Sequence, residues 1–180
     1  SKLYAHSLCA NYRNAYNMFI CSGILFNHES PRRGVNFVTN KVVLEAVKIK
    51  LGLSNQLVLG NLGAMRDWGH AKDYVKGMWL MLQQEKPEDF VLATGETRQV
   101  LDLVNYVFSK LELDFETYVK TDKKFERAEE LHYLRGDATK AKEKLGWKTE
   151  YTFETMLDEM IEYWENKLTN KEQMIWADSL

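Results

Sequence analysis

At 180 residues, with 45% hydrophobic and 28% charged side chains, the chain has the composition of one soluble globular unit or part of a larger one. A formal net charge of −2 gives no electrostatic basis for binding nucleic acid or an anionic membrane, and no apolar run reaches the roughly 18 residues of a membrane span. Cys9 and Cys21 lack zinc spacing and sit within apolar patterns, which together with the absence of a signal-like segment points to reduced thiols in the cytoplasm.

In chain order, Ala5, Leu8, Cys9, Tyr12, Ala15 and Tyr16 recur at three- and four-residue steps, the pattern of a buried helix. It opens directly after Ser1 with no cap or preceding loop, and this reads as a piece of a longer chain. Residues 18–26 form an apolar run, as expected for a parallel strand covered on both faces. That run stops at Asn27-His28-Glu29-Ser30-Pro31-Arg32-Arg33-Gly34, where Asn, Pro and Gly mark a loop. Phe37, Val38, Val42, Ala46 and Ile49 then mark a helix, with Gly52 placed to stop it. Further on, the spacing predicts a strand at 56–59, a helix at 71–84, a strand at 90–94 and a helix through Leu101, Val104, Phe108 and Leu111.

Residues 114–120 read as an edge strand and 121–130 as an exposed, highly charged loop. A short helix at 138–145 ends at Gly146, and Thr152 caps a last helix to about residue 168, leaving 169–180 as a tail. Strands and helices alternate without repeats, so the class is α/β.

Two loops carry more chemistry than a connection needs. Residues 27–34 hold a histidine, a carboxylate and twin arginines beside a glycine, a set suited to phosphate or carboxylate, although a solvated surface loop accounts for it equally. In Arg66-Asp67-Trp68-Gly69-His70, Asp67 caps a turn, Trp68 packs inward and Arg66 pairs locally; alternatively Arg66 joins Arg32 and Arg33 around a diphosphate. Gly60-Asn61-Leu62-Gly63 lacks the third glycine and helix start of a dinucleotide loop and reads as a turn. The four histidines lack paired ligand spacing, so no metal is expected, and no Gly-x-Ser-x-Gly elbow anchors a hydrolase.

The run Gly23 to Gly34 with Phe37-Val38-Thr39, then Leu59-Gly60-Asn61, Arg66 to Val75 and Pro87-Glu88-Asp89-Phe90, closely resembles the GDP-mannose 4,6-dehydratases. Gly136-Asp137-Ala138-Thr139-Lys140-Ala141 with Leu145-Gly146-Trp147 is similar to extended short-chain dehydrogenases generally. The resemblance covers roughly residues 1–165. It implies that residues 1–168 are the C-terminal portion of such a protein, the end of its Rossmann-type sheet plus the substrate-binding lobe, with the N-terminal NADP-binding part outside this chain. It also implies a lyase that uses NADP to convert GDP-mannose to its 4-keto-6-deoxy product, as in GDP-fucose synthesis, and that is a homo-oligomer when full length.

On matching positions, the resemblance implies that Lys2 is the lysine of a Tyr-x-x-x-Lys pair and that Lys2, His28 and Arg33 contact NADP. Asn27, Val38, Lys41 and Arg66 would line the GDP-sugar site, with Arg127 and Glu129 at its nucleotide end. The sequence departs from the family around Phe125-Glu126-Arg127-Ala128-Glu129, where the usual proline is missing and the arginine is displaced by one place. Another nucleotide-sugar dehydratase or epimerase, or a non-catalytic sugar-nucleotide-binding module, remain as alternative expectations. The 180 residues alone are expected to be inactive.

Overall fold

The computed structural model describes residues 1–125, 129 and 131–177. Helix α1 (Lys2–Tyr16) leads to strand β1 (Gly23–Leu25), and beyond Phe26 the extended backbone resumes as β2 (Asn27–Glu29). Helix α2 (Val38–Lys50), β3 (Leu57–Leu59), β4 (Met65–Arg66), β5 (Trp68–His70) and α3 (Ala71–Met81) follow. The remainder comprises β6 (Phe90–Leu92), β7 (Arg98–Gln99), α4 (Val100–Lys110), α5 (Phe115–Tyr118), β8 (Val119–Thr121), α6 (Thr139–Leu145) and α7 (Phe153–Ala177).

Three strand pairs are parallel: β1 with β6, β2 with β5, and β3 with β8. Only β4 and β7 run antiparallel among the described residues. Parallel neighbours need long crossovers, and helices supply them here, so the architecture is α/β. Two apolar clusters hold it together. The larger joins α2 (Val42, Val43, Ala46, Val47), β3 (Leu57, Leu59), α4 (Leu103, Val104, Val107, Phe108) and α7 (Met156, Leu157, Met160, Trp164). In the smaller cluster, α3 packs on β6 and α6 through Tyr74, Met81, Phe90, Leu92, Ala141 and Trp147.

Local chemistry explains the element ends. Gly52 adopts φ +73° after α2, and the Gly52 and Leu53 amides donate to Ile49 and Lys48 carbonyls at 3.0 and 2.8 Å. Such a left-handed exit closes orphan carbonyls at little cost only for glycine. Gly146 (φ +62°) ends α6 in the same way. At the start of α7, Thr152 Oγ1 accepts from the Thr155 amide at 3.2 Å, the cap expected of that threonine. His70 is a less usual cap: its Nδ1 accepts from the Lys72 amide at 3.1 Å.

Five expectations are corrected. Helix α1 exists but has no buried residue, and Leu3, Tyr4, Tyr12 and Tyr16 are exposed. Periodicity identifies a face fit for burial, not what covers it. Arg13 ties α1 to the sheet through Asp89 and through a 2.8 Å bond to the Ile20 carbonyl. The strand expected at 18–26 shrinks to Gly23–Leu25, whereas polar residues 27–29, expected as loop, are a strand. The backbone leaves one partner at Leu92 and takes another at Trp68, so polar side chains continue an apolar run. Residues 115–118 form a helical turn, capped by Asp114 Oδ1 accepting from the Glu116 amide at 3.2 Å, before β8 begins. Helix α7 continues through the expected tail to Ala177.

Candidate active site

The parallel register of β2 on β5 places Asn27 opposite Trp68 and Glu29 opposite His70, so the two polar clusters lie on adjacent strands. Asn27, His28, Arg33, Val38, Lys41 and Arg66 are all half-buried, the exposure of groups that are held by protein yet reachable by ligand. His28 Nδ1 lies 2.9 Å from the Phe26 carbonyl oxygen. A carbonyl only accepts, so Nδ1 carries the proton in this contact and Nε2 is left for another partner. The ring lies 5.2 Å from that of Tyr74.

Arg33 follows in the loop. Its Nε is 3.3 Å from Oε2 of buried Glu29, within ion-pair distance but not aligned as a hydrogen bond. Its guanidinium carbon sits 3.6 Å from the centroid of the Phe37 ring, a cation–π contact. Thr39 Oγ1 donates to the same Glu29 oxygen. Burial pushes the Glu29 carboxyl above its ordinary range, against the opposing pull of Thr39 and Arg33. The Asn40 amide donates to the Arg33 carbonyl, and Asn40 Oδ1 accepts from Trp164 Nε1 at 2.6 Å, tying the loop to α7.

Lys41 and Arg66 are ordered differently. Lys41 Nζ donates to the Val58 carbonyl at 2.6 Å and lies 4.7 Å from the Phe125 ring centroid. Neither partner carries charge, so among the described residues Lys41 is positioned without being neutralised. Arg66 Nη1 donates to the carbonyls of Met65 and Leu131 at 2.8 and 2.5 Å. The Met65 amide donates to the His132 carbonyl at 2.9 Å. Phe125 thus lies beside Lys41, and Leu131 beside Arg66. Glu129 is exposed, while Arg127 is outside the described residues. Lys2 is exposed on the first turn of α1, and among the described residues no hydrogen bond or ion pair joins it to His28 or Arg33.

Asp67, beside Arg66, is fully buried and belongs to the scaffold. Its carboxylate accepts from the Thr94 amide (2.9 Å), Thr94 Oγ1 (2.6 Å), the Gly95 amide (2.9 Å) and the Gly136 amide (3.1 Å). Trp68 is buried in the larger core, as expected. His70 is buried and stacks on Tyr151 at 3.8 Å, with Nε2 3.0 Å from Glu159 Oε2 although not aligned for a hydrogen bond. Burial lowers the His70 pKa despite Glu159. A cavity of about 550 Å³ lined by Thr94, Gly95, Arg135, Gly136 and Lys142 contains none of the expected site residues.

Sequence reasoning passed over Phe37, Thr39 and Asn40 as parts of this site and gave the carboxylate of Glu29 no role of its own. Glu29 and Arg33 are four apart, a spacing that suggests pairing only on a helix, and Phe37 reads as a helix residue. Their roles arise from the fold of the loop.

Residues 1–160 match the family model for GDP-mannose 4,6 dehydratase. The chain is 52% identical over 162 residues to GDP-mannose 4,6 dehydratase 2 of Arabidopsis thaliana, covering 90% of this chain and 43% of that protein. It is 47% identical over 178 residues to the human GDP-mannose 4,6 dehydratase, covering 89% of this chain and 48% of that protein. Among solved structures, RMD from Pseudomonas aeruginosa complexed with NADPH superposes with a TM-score of 0.85 at 23% identity, over 92% of this chain and 55% of that one. UDP-glucose 4-epimerase from Thermotoga maritima gives a TM-score of 0.79 at 22% identity, over 93% and 52%. At such identities the structures speak for a shared α/β fold alone. The chain spans about half the length of the relatives it matches, and it belongs to the GDP-mannose 4,6 dehydratase family.

Proposed function

We propose that these residues are the C-terminal, substrate-side portion of a GDP-mannose 4,6-dehydratase, a lyase of the cytoplasm that forms the 4-keto-6-deoxy product of GDP-mannose. The observation that carries this reading is the set of half-buried, ordered cations on the loop after β2, α2 and β4. Lys72, Lys76, Lys110, Lys140 and Lys144 are each paired with a carboxylate, whereas Lys41 is held by a carbonyl and a ring. An ordered ammonium that, among the described residues, is held by neutral groups suits a diphosphate.

Arg66 and Lys41 would take the diphosphate of GDP-mannose, with Asn27 and Val38 along the sugar and Glu129 and Arg127 at the nucleotide end. Arg33 and His28 would face NADP, and the donor set fits it: the outer amino groups of Arg33 have no protein partner among the described residues, and His28 Nε2 faces away from its carbonyl bond. NADP, when bound, accepts and returns a hydride. Lys2 would hold the cofactor ribose and lower the pKa of a tyrosine base outside these residues. That base and a glycine-rich phosphate turn are not in this sequence, so the 180 residues alone would not turn over.

A chimera joining the N-terminal half of the Arabidopsis relative to these residues tests the reading. It is expected to convert GDP-mannose, with Lys2→Met and Arg66→Ala each lowering kcat/KM at least tenfold. Conversion of UDP- or dTDP-sugars in preference would assign the site to another nucleotide, a reading favoured by the altered Phe125–Glu129 segment. Turnover by the 180 residues alone would overturn the placement of the base.

A further inference from the structure

We propose that Glu29 is a positioning residue that sets the orientation of Arg33 for a phosphate-bearing cofactor. This rests on the reading of Arg33 as a cofactor contact. A loop arginine has several rotatable bonds, and freezing them on binding weakens affinity. Here protein contacts already hold the group in place. Glu29 is buried at the end of β2, where the backbone is fixed by its register with β5. Thr39, at the second position of α2, donates to Glu29 Oε2 and orients the carboxylate. That oxygen faces Arg33 Nε at 3.3 Å, and Phe37 covers one face of the guanidinium at 3.6 Å.

Among the described residues the two outer amino groups have no protein partner, so one edge of the guanidinium is anchored and the fork is presented. Asn40 fixes the backbone of the same residue by donating to its carbonyl, and Trp164 of α7 holds Asn40. Strand, helix and C-terminal helix thus converge on one arginine. Of these groups, only the carboxylate has the charge to oppose the guanidinium. The arrangement differs from a surface ion pair, in which both partners stay mobile and contribute little.

The test compares wild type with Glu29→Gln in the ¹⁵N-labelled chain, using NADP and inorganic pyrophosphate as probes and GDP-mannose as the control ligand. Wild type should show a slowly exchanging, rigid Arg33 Nε–H signal that shifts with NADP and pyrophosphate. In Glu29→Gln that signal should become mobile and affinity for both probes should fall about tenfold, with GDP-mannose affinity unchanged. Thr39→Val should move both readouts in the same direction by less, and serves if Glu29→Gln does not fold. Equal order of Arg33 in wild type and both variants overturns the proposal, as does a parallel loss of GDP-mannose affinity, which marks a general structural defect. Loss of order in Glu29→Gln with no effect of NADP on Arg33 in wild type instead overturns the cofactor reading.

Discussion

Residues 27–34 and 66–70 look alike in the sequence, each with arginine, carboxylate and histidine after a strand, yet their buried carboxylates have opposite uses. Asp67 accepts four hydrogen bonds from three backbone amides and a hydroxyl, joining β5, the turn after β6 and the segment before α6. Glu29 receives one hydroxyl and a misaligned guanidinium, and burial raises its pKa. A fully satisfied carboxylate stabilises the fold; a partly satisfied one costs stability and persists where another task requires it. The first cluster holds one half-buried cation in place, and the second holds the molecule together.

The largest effect should come from Asp67→Ala. Removing the acceptor orphans four donors in the interior, and the expected loss is roughly 3–5 kcal/mol by urea denaturation. A loss under about 1 kcal/mol would remove the contrast with Glu29.

Next in size is Gly136→Ala. A Cβ there would stand 2.1 Å from Ala93 Cβ and 3.0 Å from the Phe26 ring, so the backbone must move, costing about 1–3 kcal/mol. The measurement is the thermal midpoint, and an unchanged value would mean that this approach is looser than described.

Glu29→Gln should act in the other direction, raising stability by about 1 kcal/mol at neutral pH while mobilising Arg33. The pH dependence follows from the raised pKa. The native state binds the Glu29 proton more tightly than the unfolded chain, whose value is near 4.5, so wild-type stability declines as pH rises from there through the higher native value. The advantage of the variant should therefore vanish below pH 4.5 and grow above it. His70 has the reverse sign. Burial lowers its pKa from 6.5, so its contribution is complete above that value and is lost as pH falls. A wild-type profile that is flat below pH 6.5 and unchanged in His70→Asn would contradict this.

Tyr74→Phe should give the smallest change, a gain of about 0.5 kcal/mol, because among the described residues the buried hydroxyl has no hydrogen-bond partner. Destabilisation in a denaturant titration would show that the hydroxyl is satisfied.

Much of this fold was legible from local signals. The stripe Val42, Ala46, Ile49 with Gly52 behind it, and Val104, Phe108 with their neighbours, specify helices whose buried faces match the larger core. Residues 27–29 were not legible, since their strand character comes from pairing with Trp68–His70, some forty residues away. The Asp114 cap was readable in principle, but the alternation after it suggested a strand. The cluster at 27–34 suggested an anion site through residue type alone, with a solvated loop as the equal alternative. The contribution of Glu29, Thr39 and Asn40 depends on contacts that include Trp164, which no local window contains.

The central claim is that the cations beside β2 and β4 receive a guanosine diphosphate sugar. Titration of the ¹⁵N-labelled chain with GDP-mannose, UDP-glucose and dTDP-glucose tests it most directly. The account predicts that GDP-mannose binds most tightly, with perturbations centred on Asn27, Val38, Lys41 and Arg66 and abolished by Arg66→Ala. Preference for a uridine or thymidine donor, or perturbations confined to the cavity around Thr94, Gly95 and Arg135, would contradict it.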